Sequence, residues 1–106
     1  MTRVVVSPGA CGMESTIEVE KKDSGTYSVK IGSDCEMVVK LGKEISELTM
    51  MDAFKKALDN PVYTRAAKCL RHVACPVPSA ILKALEVEAG LNVPRDVSIR
   101  FVKEPE

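Results

Sequence analysis

The sequence predicts an α+β fold: a small antiparallel β-sheet of three N-terminal strands plus a C-terminal strand, covered on one face by about four short helices. Three observations carry this. Apolar and polar residues alternate on both sides of Asp23-Ser24-Gly25. The period then lengthens to a helical one after Gly32. Finally, Val97, Ile99 and Phe101 alternate with Ser98 and Arg100 near the end of the chain.

The elements follow in order. Val4-Val5-Val6 is a first short strand, stopped by Ser7-Pro8-Gly9. Ile17 and Val19 alternate with Glu18 and Glu20; Tyr27, Val29 and Ile31 alternate with Ser28 and Lys30. A hairpin turning at Asp23-Ser24-Gly25 pairs Lys22 with Thr26. That register sets Val19 opposite Val29, Ile17 opposite Ile31 and Glu18 opposite Lys30. A slip of one residue would turn every apolar side chain to the wrong face.

Ser33 and Asp34 are capping residues for a first helix with Val38, Val39, Leu41 and Ile45 on its apolar positions. Thr49 opens a second, reaching about Leu58. Asn60 and Pro61, as N-cap and first helical residue, open a third through Tyr63, Ala66, Ala67 and Leu70. His72 to Pro78 form a connection. Ser79 to Ala89 form a fourth helix around Ile81, Leu82 and Leu85, ended by Gly90. The last strand presents Val97, Ile99 and Phe101 inward.

At 106 residues the chain fits one domain, 1–106. Lys+Arg and Asp+Glu both number 15, so there is no basic excess to track phosphate, and nucleic acid is not an expected partner. No run approaches the roughly 20 apolar residues of a membrane span. The start of the chain lacks the pattern of a signal peptide, so a cytoplasmic protein is expected. In a reducing compartment four cysteines point to metal ligands, reactive thiols or core residues rather than disulfides.

Cys11 lies just before the second strand and Cys35 just after the third, so both fall at the open end of the hairpin. Cys69 and Cys75 flank the connection between the third and fourth helices. Cys11, Cys35, Cys69 and Cys75 therefore form the candidate ligand set for zinc or an iron–sulfur cluster, with His72 as a further candidate. Cys75 has a second reading: a thiol at a helix start feels the positive end of the dipole, which favours thiolate and nucleophilic use. A third reading makes the chain an interaction module whose cysteines only fill space. Its last strand either completes the sheet or leaves an edge for a protein partner or a second copy. The absence of a G-x-S-x-G turn, of a Walker-type loop and of more than one histidine gives no support to an enzyme.

The run His72-Val73-Ala74-Cys75-Pro76-Val77-Pro78, with Ile81 to Glu86 and Ser33-Asp34-Cys35, resembles a family of small uncharacterised four-cysteine prokaryotic proteins. Cys75-Pro76-Val77-Pro78 is also similar to the C-P-x-P motif of TusA-type sulfur carriers. That resemblance implies a persulfide on Cys75, although those proteins carry the motif near the N-terminus. Cys35, Cys69 and Cys75-Pro76 resemble the cysteine-rich TSCPD domain, which implies metal binding; Val77 stands where that motif has Asp.

Overall fold

The structure is a computed structural model that describes residues 1–104. Four strands form one antiparallel sheet in the order β1-β2-β3-β4: β1 (Thr2–Val6), β2 (Ser15–Lys21), β3 (Tyr27–Ser33) and β4 (Glu47–Leu48). Helices α1 (Glu36–Glu44), α2 (Pro61–Cys69) and α3 (Val77–Glu88) cover one face, with a short 3-10 turn at Met50–Ala53.

The hairpin has the register its alternation dictates. Ile17 pairs with Ile31, Glu18 with Lys30 and Val19 with Val29. Its turn is closed by the Lys22 N–H to the Thr26 carbonyl (2.8 Å) and the Gly25 N–H to the Lys22 carbonyl (3.0 Å). Gly25 sits at φ +87°, a conformation that a side chain would strain. Ile17 and Val19 are fully buried under the helices, while Glu20 and Lys30 are exposed. Arg3 reaches across the open face to Glu18 at 2.8 Å.

One apolar core joins the layers: Ile17, Val19, Tyr27 and Val29 from the sheet, Val38 and Leu41 from α1, Val62 and Ala66 from α2, Ile81 and Leu85 from α3. Full burial of such side chains is worth about 1.5–3 kcal/mol each. Gly42 lets α1 lie close on β3, since a Cβ there would stand 3.1 Å from Cβ of Ile31.

Two expectations are corrected. The C-terminal strand does not form: residues 91–104 carry no regular structure, and Val97, Ile99 and Phe101 are exposed. The fourth strand is instead Glu47–Leu48, which takes up the start of β3 through Tyr27 and Ser28. There are three α-helices rather than about four, because the segment after Thr49 makes only a 3-10 turn. Beyond it Phe54 and Leu58 are exposed, so a longer helix would have no apolar face to bury.

That short turn is held by polar contacts. Asp52 accepts the Thr49 N–H at 2.8 Å and meets Lys55 Nζ at 2.9 Å. Asn60, buried at the N-cap of α2, donates from Nδ2 to the carbonyls of Asp52 (2.7 Å) and Lys55 (3.1 Å) and accepts the Val62 N–H (3.0 Å). Asn60→Ala strands all three partners, so chemical denaturation should reveal a loss of about 2–3 kcal/mol. A loss well below 1 kcal/mol (about the worth of a single ordinary hydrogen bond) contradicts this role.

Burial of Asp52 works against its charge, yet the Lys55 ammonium and the Thr49 groups outweigh it and hold its pKa below the ordinary 3.8. A carboxylate depressed in the folded state stabilises fully above its unfolded pKa, and the gain is lost as pH falls through the folded value. Asp52→Asn should therefore cost about 1 kcal/mol near neutral pH. The difference should shrink in acid below 3.8. A gap between the two proteins that stays constant with pH contradicts it.

Candidate functional site

The sheet has two distinct ends. One carries the turn between Lys22 and Thr26. At the other, Ser15 pairs with both Val6 and Ser33, and the hydroxyls of Ser15 and Ser33 meet at 2.8 Å. The β1–β2 connection closes on this open end, where the Asp34 N–H reaches the Glu14 carbonyl at 3.4 Å.

Helix α1 starts at the open end, just after β3, and runs back until Glu47 pairs with Ser28. Helix α3 lies over β1 and β2. Its direction is marked by Glu88, whose carboxylate accepts Thr2 Oγ1–H at 2.7 Å and the Lys21 N–H at 3.0 Å, both toward the turn end. The 12 residues of α3 then span about 18 Å, nearly the length of β2, so Val77 falls toward the open end. Helix α2 packs between α1 and α3, with Tyr63 Oη 3.0 Å from Ser79 Oγ in the first turn of α3.

Two of the four cysteines stand at helix starts, one lies in a helix's last turn and one in a loop. Cys35 is the N-cap residue of α1 and its N–H donates to Ser33 Oγ at 3.0 Å. Cys69 is in the last turn of α2 and is buried in the core at 8% exposure. Cys75 is half-buried just before α3, its N–H donating to the His72 carbonyl at 3.2 Å. Cys35 and Cys75 pack against the core to which Cys69 belongs. Cys11 is exposed in a turn on the same end of the sheet, closed by the Gly12 N–H to the Gly9 carbonyl at 2.9 Å.

All four cysteines are free thiols. Among the described residues no three His, Cys, Asp or Glu side chains are positioned together to hold a metal ion. His72 is exposed and lines a crevice of about 250 Å³ with Tyr63, Ala66, Leu70 and Pro78. The crevice is mostly apolar and lies beside the Cys69–Cys75 connection; it escapes sequence reading because α2 turns Val62, Ala66 and Cys69 inward, leaving Tyr63 and Leu70 half-buried at the rim. The spacing of Val62, Ala66 and Cys69, at i, i+4 and i+7, was the available signal for that inward stripe.

Among the described residues no helix is long and apolar enough to cross a membrane. No curated protein and no solved structure matches the chain. Residues 2–101 match the model of a family described only as a family of unknown function, DUF6951. That match spans nearly the whole chain, both cysteine pairs included, and agrees with the resemblance to an uncharacterised family. The chain belongs to this family of unknown function.

Proposed function

We propose that the protein is a cysteine-dependent metal-binding protein, with Cys11, Cys35, Cys69 and Cys75 as thiolate ligands for zinc or an iron–sulfur cluster. The reading is supported by the open end of the hairpin, where the Cys11 turn and the Cys35 start of α1 both lie, and by the short connection that joins Cys69 to Cys75 at the start of α3. The ligands do not stand preformed, so the ion itself draws them together, and binding free energy becomes folding free energy. The exposed Cys11 turn supplies the movable ligand; Cys69 must swing from the core.

Two helix N-termini at one end lessen the repulsion among thiolates, because their partial positive charge favours anionic sulfur. The full chain, purified without oxygen, should bind about one equivalent of zinc or cobalt, with cobalt giving sulfur charge-transfer absorption. Bound metal should raise the melting temperature, and the rise should grow with the logarithm of the free metal concentration above the dissociation constant. Cys35→Ser or Cys75→Ser should weaken affinity by at least roughly 100-fold, since losing a ligating sulfur costs no less than losing a group that merely orients a ligand. No metal uptake, with all four thiols still titratable in excess zinc, contradicts the proposal.

A second reading rests on Cys75 itself. It is half-buried at the entrance to the 12-residue α3, beside the crevice that His72 and Pro78 line. A thiol used to accept and pass on sulfur needs this kind of partly sheltered position at a helix start. Exposure alone orders the thiols as Cys11 first, then Cys35 and Cys75, and Cys69 last. Mass-mapped alkylation should break that order if Cys75 is the nucleophile, with Cys75 outrunning Cys11 by roughly tenfold. An order that follows exposure alone eliminates Cys75 as an activated thiol.

A further inference from the structure

We propose that two copies of this chain exchange their C-terminal segments, each laying residues 95–102 along the free edge of the other's β1. Two features of the same chain carry this. Strand β1 is an edge strand: the sheet order begins with it, and among the described residues only β2 pairs with it. Every second residue of this five-residue strand turns its backbone N–H and C=O away from β2, which is a template for another strand. The second feature is the segment after α3, which has every sequence property of a strand and no partner.

Val97, Ile99 and Phe101 alternate with Ser98 and Arg100, and Pro94 stands at the start, where a strand can spare the N–H. These apolar side chains are at 61%, 84% and 102% exposure, with Val102 at 85%. Monomeric soluble proteins rarely present contiguous apolar surface in this way. The segment projects from the body, and the molecule measures 56 Å along its longest axis against 29 and 25 Å on the others. The family match runs from Thr2, the first residue of β1, to Phe101, so β1 and all of the pairing segment but Val102 lie within the matched region.

The two surfaces match in pattern. On β1 the helix side carries Thr2, Val4 and Val6, and Val4 is only half-buried there. Val97, Ile99 and Phe101 laid on that side extend the core past Val4, while Ser98 and Arg100 fall on the solvated side with Arg3 and Val5. The exchange is reciprocal, so one two-fold axis satisfies both edges and the assembly closes as a dimer. A buried phenylalanine removes about 150–250 Å² from water. Two tails with three inward side chains each therefore bring the contact to about 1,000 Å², the lower bound for a stable interface.

The test is the solution mass of the full chain under reductant, by light scattering across micromolar to millimolar concentration, with hydrogen exchange at the β1 and tail amides. A dimer is expected, with Thr2–Val6 and Val97–Phe101 protected together. The double variant Ile99→Asp, Phe101→Asp changes only side chains exposed in the single chain, so exchange protection of the β2–β3 hairpin and of α1 and α3 should be unchanged. Its dimer affinity should fall roughly 100-fold or more, and protection should be lost at both segments. A monomer at every concentration overturns the proposal, whether the tail amides exchange freely or are protected by pairing within one chain. A dimer that survives the double substitution also overturns it, because the contact would then lie elsewhere.

Discussion

The register of the β2–β3 hairpin is the constraint on which the rest of the fold depends. Pairing Ile17 with Ile31 and Val19 with Val29 sends Ile17, Val19, Tyr27 and Val29 to one face. That face is the floor on which α1 and α3 rest, with α2 packed against both. A slip by one residue would bring Glu18 and Lys30 to the helical side, where each buried charge would need a partner that the apolar undersides of α1 and α3 do not offer. The same register fixes which end of the sheet is open, and so where Cys11 and Cys35 emerge.

The helices convert this floor into a polarised structure. Helix α1 starts at the open end because β3 finishes there, and α3 starts toward it because Glu88 secures its far end to Thr2 and Lys21. The Asp52–Asn60 contacts hold the turn that brings the chain back from β4 into α2. Cys35 thus opens α1 at the open end of the sheet and Cys75 precedes α3, whose start lies toward the same end, although the two are 40 residues apart in sequence.

The sequence made the hairpin legible because two independent signals agree there: a period of two on both arms, and turn chemistry with glycine at the left-handed position. The Asn60-Pro61 start and Gly90 stop were legible for the same kind of reason, since each residue does a job that few others do. The misread elements lack that second signal. Residues 97–101 have a strand's alternation, but alternation says only that a segment can pair, not which edge it finds. Glu47–Leu48 is too short to show any period. The segment after Thr49 has a good start signal but no continuing apolar stripe to sustain a helix. The candidate site was legible as four residues and not as an arrangement. The direction of α3 is marked by one carboxylate, Glu88, whose partners lie 67 and 86 residues away in sequence.

The central claim is that this folding route delivers Cys35, Cys69 and Cys75 to the open end of the sheet. The positions of the sulfur atoms test it most directly, located by anomalous scattering in crystals grown under reductant without oxygen. The account predicts all three sulfurs on the side of the Ser15–Ser33 pair, with the Cys11 sulfur on the turn beyond that same end. A Cys69 or Cys75 sulfur found instead beside the Lys22–Thr26 turn would contradict it.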